Sequence, residues 1–80
     1  MAREIDRWAE EPYYQQLAAI LRTDIRSGSL GPGEALPSEP QLMHTYGVSR
    51  GTVRKALEVL RDEGLIETVR RRGSRVRPRA

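Results

Sequence analysis

Apolar residues recur at helical spacing from the first third of the chain, with Tyr14, Leu17, Leu21 and Ile25 forming one stripe flanked by Tyr13, Ala18 and Ile20. That period predicts an amphipathic helix. Pro12 suits its first turn, where a missing N–H costs nothing, and Gly28 supplies the stop. Leu30-Gly31-Pro32-Gly33 is a turn cluster, and Glu34-Ala35-Leu36 reads as a short extended link. Ser38 and Gln41 have the spacing of a capping box, in which hydroxyl and amide satisfy each other's backbone N–H groups. A second helix follows, with Pro40 in its first turn, Leu42, Met43 and Tyr46 on its apolar side, and Gly47 at its end. Ser49 then caps a third helix, whose inward face is Val53, Ala56, Leu57 and Leu60 and whose terminator is Gly64. Only Gly47, Val48 and Ser49 join the two, with Val48 placed to plug the corner. A short Gly-containing connection of this kind marks a helix-turn-helix. After Gly64 the period shortens: Leu65 to Val69 is β-prone, Arg70 to Gly73 turns, and Ser74 to Arg77 is a second short strand. The pattern predicts a mainly α fold with a small β-hairpin wing, that is, three helices and a two-stranded wing in a winged helix-turn-helix.

At 80 residues, this is a single small domain with modest burial and little room for an internal ligand cavity. The divisions expected are a lead-in over 1–11, on which Trp8 packs back against the body, the winged domain over 12–77, and the start of a linker over 78–80. There is no cysteine, so disulfides, thiolate metal sites and cysteine nucleophiles are excluded. The longest aliphatic run is five residues, Leu17 to Leu21, against the ~20 of a membrane span. The start, MAREIDRWAEE, lacks the apolar stretch of a secretory signal. A cytoplasmic protein without a membrane partner is expected.

Charge changes the picture more than composition does. The net charge is +3, yet residues 1–49 carry −3 and residues 50–80 carry +6. No acid follows Glu67, whereas Arg70, Arg71, Arg72, Arg75, Arg77 and Arg79 do. A one-sided basic field attracts polyanions. Charge by itself does not choose among nucleic acid, an anionic membrane and an acidic protein.

Catalysis has little to work with. His44 is the only histidine, and it falls on the outward side of a two-turn helix. No carboxylates have the paired spacing of a metal site, and the Gly-Pro-Gly cluster lacks the Gly-Lys-Ser/Thr ending of a phosphate loop. No catalytic residue, metal or cofactor is expected within this domain. Glu58, Asp62 and Glu63 read as the solvated back of the third helix.

The basic residues instead fall where a helix-turn-helix meets duplex DNA. Arg50 and Arg54 are neighbours one turn apart, away from the Val53–Leu57 stripe, and Gly51 and Lys55 share the outer side. An arginine fork matches guanine O6 and N7 in the major groove. Ser49 and Thr52 are placed for phosphate or base contacts at the helix N-terminus. Arg70, Arg71 and Arg72 at the hairpin tip suit a flanking groove or the backbone. Tyr13, Tyr14 and Trp8 read as core or lid residues rather than stacking platforms.

These segments also resemble a known family. Leu36-Pro37-Ser38-Glu39, Tyr46-Gly47-Val48-Ser49-Arg50, Thr52-Val53-Arg54-Lys55-Ala56-Leu57 and Glu63-Gly64-Leu65-Ile66 are similar to the N-terminal domain of GntR-type transcriptional regulators. Pro12-Tyr13-Tyr14-Gln15-Gln16 extends the likeness upstream and resembles the HutC-type branch. The resemblance implies a homodimeric repressor or activator on a short palindromic operator, with DNA contacts at Ser38, Ser49, Arg50, Thr52, Arg54 and Gly73. It further implies that dimerisation and binding of a small effector belong to a C-terminal domain beyond the Arg75–Arg79 segment. This chain alone is then expected to be a monomer that binds DNA weakly and ignores metabolites. Three positions depart from the pattern. Pro40 stands where a DNA-contacting arginine is common, Gly51 stands where a polar residue is common, and Arg71 replaces the first glycine of a Gly-x-Gly wing.

Two alternatives remain open. One is a protein-interaction or RNA-binding module that uses the basic wing. An interaction module would be expected to make the exposed face of the third helix apolar, and here that face holds Arg50, Arg54, Lys55, Glu58 and Arg61. The other is an enzyme, which requires a catalytic domain beyond these residues.

Overall fold

In the computed structural model, residues 3–78 are described. Three helices, α1 (Tyr13–Ser27), α2 (Glu39–Tyr46) and α3 (Arg50–Asp62), precede a hairpin of β1 (Ile66–Val69) and β2 (Gly73–Val76). This is the winged helix-turn-helix that the pattern predicts.

The caps behave as their local chemistry requires. Ser38 Oγ accepts from Gln41 N at 3.2 Å, and Gln41 Oε1 accepts from Ser38 N at 2.8 Å. Ser49 Oγ accepts from Thr52 N at 3.1 Å and fixes the start of α3. Gly47 adopts φ 64°, a left-handed conformation that turns the chain sharply between α2 and α3. Pro12 differs slightly from expectation. It is the N-cap, at φ −57° and ψ 148°, and the helix begins one residue later. Residues before or at a helix boundary in extended conformation fit the restricted φ of proline.

The core is one cluster. Leu17, Leu21, Leu42, Val53, Leu60 and Ile66 are its most deeply buried large side chains, with Leu36, Val48 and Val76 closing its edges. Deleting such a side chain typically costs ~2–5 kcal/mol, a large share of a small domain's stability. Val48 does plug the corner of the turn.

The hairpin is antiparallel in the register Ile66↔Val76 to Val69↔Gly73. Leu65 falls just before β1 and Arg77 just after β2, one residue inside the predicted limits at each of these ends. The link after α1 is more than a connector. Leu36 N donates to Ser74 O and Val76 N donates to Glu34 O, both at 2.9 Å, and Ala35 bridges Arg75. The outer edge of β2 is thereby paired, which anchors the wing to the body.

The lead-in is where the reading needs correction. Trp8 does not pack back: it is 96% exposed. Ile5 is the residue that enters the core. Gln16, itself buried, holds the strap: its Oε1 accepts from Asp6 N at 2.7 Å, and its Nε2 donates to Asp6 O and Glu11 O. Arg3 forks onto Asp24 at 2.6 and 3.1 Å. Glu63 is likewise not merely solvated, since Arg22 of α1 forks onto it at 2.8 and 2.6 Å.

Candidate nucleic-acid interface

Between the start of α2, the outer flank of α3 and the wing lies an open cleft of about 540 Å³. Ser38, Glu39, Arg54, Arg61, Thr68 and Arg72 are among its lining residues. The two caps explain this placement. Ser38 fixes where α2 begins, and Ser49 fixes the phase of α3, which puts Arg54 on the flank facing Glu39.

Of the residues singled out from sequence, Ser38, Arg54, Arg72 and Gly73 line the cleft. Ser49, Arg50 and Gly51 are exposed at the start of α3, and Thr52 is half-buried there. Ser49 Oγ donates to Thr52 Oγ1 at 3.1 Å, so both hydroxyls are partly engaged by the cap itself. Gly51 is helical, and a Cβ there would meet nothing closer than Ser49 Oγ at 3.9 Å, leaving its surface open to an incoming groove. Lys55 is turned elsewhere: its ammonium sits 4.3 Å from the centre of the Tyr14 ring, a cation–π contact that ties α3 to α1.

Arg70, Arg71 and Arg72 are exposed at the wing tip. Arg72 N donates to Val69 O at 2.9 Å and closes a four-residue turn. Arg71, third in that turn, has φ 68°, and Gly73 has φ 84°. Both positions that a Gly-x-Gly wing fills with glycine are therefore left-handed, and Arg71 occupies one of them at a backbone cost. The remaining wing arginines are less available. Arg75 Nη2 lies 2.6 Å from Glu67 Oε2, and Arg77 Nε lies 3.9 Å from Glu67 Oε1. No ion pair engages Arg50, Arg70, Arg71 or Arg72 among the described residues.

Three further side chains, Glu39, Arg61 and Arg7, join the site through contacts that no local pattern announces. Glu39 accepts from Arg54 Nε at 3.1 Å, and Arg61 Nη1 donates to Thr68 Oγ1 at 3.1 Å, joining α3 to the wing. Arg7 Nη2 donates to Tyr46 O at 2.8 Å and Gly47 O at 2.7 Å, at the C-terminus of α2. There a cation meets the negative end of the helix dipole and otherwise open carbonyls. The Arg7 guanidinium also lies 4.8 Å from the Tyr13 ring centre. Each of these partners is distant in sequence, and no local motif announces the pairing. Tyr46, half-buried beneath that turn, has its phenol pushed up by burial.

Among the described residues, no cluster of three or more His, Cys, Asp or Glu side chains is placed to hold a metal ion, and no helix is long and apolar enough to cross a membrane. The cleft is open and basic on balance, lined by Arg54, Arg61 and Arg72, by hydroxyls and by the start of α2, with Glu39 as its one acid. The fold and this surface define a winged helix-turn-helix of the kind found in bacterial regulators. The family model described as "Bacterial regulatory proteins, gntR family" matches residues 13–76, and the chain belongs to that family. Among curated relatives, the chain is 42% identical over 67 residues to the mannosyl-D-glycerate transport/metabolism system repressor MngR of Escherichia coli, covering 84% of this chain and 28% of that protein. It is 40% identical over 70 residues to the repressor NagR of Bacillus subtilis, covering 88% of this chain and 29% of that one. The chain thus spans under a third of the length of these relatives. Among solved structures, YtrA from Sulfolobus acidocaldarius, a GntR-family transcription factor, superimposes with TM-score 0.85 at 38% identity, covering 95% of this chain and 80% of that one. The DNA-binding domain of AraR in complex with operator ORX1 gives TM-score 0.82 at 34% identity, covering 89% and 88%.

Proposed function

We propose that this chain binds double-stranded DNA sequence-specifically, as the reading head of a one-component transcriptional repressor. The observation that carries the reading is the alignment of Ser38, Arg54 and Arg72 along one cleft at the exposed flank of α3, in a fold shared with a domain described as bound to its operator. In this account Arg50 and Arg54 read base edges, and Ser38, Ser49 and Thr52 hold phosphates. Gly51 lets the helix approach closely, and Arg70, Arg71, Arg72 and Gly73 carry the wing onto the flanking backbone. Lys55, held over the Tyr14 ring, adds positive charge beside this face without a contact of its own. The arginine-lined flank of α3 favours DNA over a protein partner, and neither described strand carries an aromatic residue, which argues against single-stranded RNA.

One domain covers one half-site, and a palindrome needs two, ~34 Å apart. Pairing through a C-terminal domain, which would also hold a small-molecule effector, is what the family likeness supports. The domain alone then acts as a monomer, without a cofactor or enzymatic activity, in the cytoplasm.

Titration of a fluorescent duplex at increasing salt tests the reading. Each neutralised phosphate releases counterions, so log affinity falls with log salt with a slope near −0.9 per contact. A steep fall with the duplex, and weaker binding of a single-stranded RNA of equal length, are expected. A flat response, or preference for the RNA, would contradict it.

A further inference from the structure

Glu39 is the one acid among the residues lining a cleft that also holds Arg54, Arg61 and Arg72. An anion in a surface meant for a polyanion works against binding, so its presence needs a reason. Its side chain is about one-third exposed, and the carboxylate meets Arg54 through Nε, at 3.1 Å. That contact matters because of which edge it uses. A guanidinium has five N–H donors in a rigid fork, and engaging Nε leaves the four Nη protons at the far end uncommitted. The side chain is fixed in direction while its outer edge stays free for two parallel acceptors.

The geometry points to Glu39 as a positioning and specificity-determining residue: it aims Arg54 at base edges and, by its charge, penalises contacts in which the cleft meets phosphate alone. This deepens the DNA-reading proposal and rests on it. On a matched sequence, the guanidinium gains a bidentate partner and the carboxylate's repulsion is outweighed. On an arbitrary sequence, the same repulsion acts without that gain, so the charge lowers binding to every duplex while the aimed Arg54 sets the gap between right and wrong DNA. Glu39 thus widens that gap only through Arg54. A purely structural role is the competing explanation, because an acid in the first turn of α2 also favours the helix dipole.

The experiment uses the 80-residue chain, a duplex enriched from a random pool by the wild type, and a scrambled duplex of equal length. Glu39→Ala is expected to reduce the preference for the enriched duplex about tenfold, within the range of one bidentate base contact, while binding the scrambled duplex more tightly than wild type. Glu39→Gln, whose amide oxygen still accepts from Nε, should keep most of the preference while also tightening scrambled binding. In an Arg54→Ala background, Glu39→Ala should leave the preference unchanged, the coupling a double-mutant cycle detects. Thermal unfolding of each variant separates out the helix-cap effect, and if Glu39→Ala does not fold, Glu39→Gln carries the charge test. Parallel loss on both duplexes, an unaltered preference, or additivity with Arg54→Ala would overturn the role of Glu39. A wild type that enriches no sequence at all would instead overturn the DNA-reading proposal itself.

Discussion

Arg71 is the residue at which stability and binding pull apart. Its φ of 68° is a left-handed conformation that a Cβ disfavours, at the tip of a hairpin where glycine would be unstrained. The charge it brings to the wing is obtained at that cost. Arg71→Gly should therefore stabilise the fold by about 1 kcal/mol, read by thermal unfolding, while lowering affinity for all duplexes alike. If it contacts one phosphate, the salt slope should become shallower by about 0.9. Loss of stability in this variant would mean that the turn prefers arginine for a reason other than charge.

Glu63 supplies a second test at this scale. The hydrogen bond from Arg22 holds its carboxyl below the ordinary value of 4.5, as does the nearby positive charge. A carboxyl with a depressed folded-state pKa contributes stability that is present above the unfolded value and disappears as pH falls through the folded one. Stability should thus decline on acidification below about pH 4.5, and Arg22→Ala should flatten part of that decline. The Glu63 side chain is 37% exposed, so the effect is small, and comparison of unfolding midpoints at pH 6 and about pH 3.5 measures it. An unchanged pH profile in Arg22→Ala would remove the pair from the account.

At the scale of elements, what could be read from sequence was whatever is encoded locally. Ser38 with Gln41, Gly47, and Ser49 with Thr52 each act within one turn of chain, and so α2, the tight turn and α3 were legible together with their limits. The apolar stripe of α3 was legible for the same reason, since its period alone places Val53, Ala56, Leu57 and Leu60 inward. Contacts between distant segments were not. Nothing in MAREIDRWAEE indicates that Ile5, rather than the larger Trp8, enters the core, because that choice depends on Gln16 pinning the strap at Asp6 and Glu11. The pairing of Ala35 with Arg75 was equally hidden, as three residues are too few to display a strand period. In the candidate site, the arginines and hydroxyls were legible as types and positions. The Glu39–Arg54 contact and the turning of Lys55 onto Tyr14 were not.

The strap also makes an element-scale prediction. Arg7 closes the C-terminus of α2 from outside the family-matched segment, with two hydrogen bonds to carbonyls beside the turn that sets α3. Arg7→Ala should lower stability by about 1 kcal/mol, in keeping with the loss of charged hydrogen bonds at an exposed helix end. It should also weaken DNA binding without altering sequence preference. A change in preference on removing Arg7 would show that it meets bases itself.

Across the whole molecule, charge is sorted by position. Residues 1–49 carry −3 and residues 50–80 carry +6, and Glu67 neutralises the stem of the wing while its tip remains cationic. Of the described basic side chains without an ion pair, Arg50 and Arg70 to Arg72 lie at the start of α3 and at the tip of the wing, on the two elements that flank the cleft, while Arg7, Arg26, Lys55 and Arg61 also lack one. Such a surface would bind any duplex to some degree, so affinity alone does not establish reading. The decisive measurement is selection from a random duplex pool by the wild type and by Arg54→Ala, with sequencing of the retained DNA. The account predicts one enriched half-site in the wild type, and relaxation of the preference at one or two adjacent base pairs in the variant, equivalent to ~1–3 kcal/mol there, with the rest of the motif retained. Enrichment of no sequence by the wild type, or an identical motif from Arg54→Ala, would contradict it.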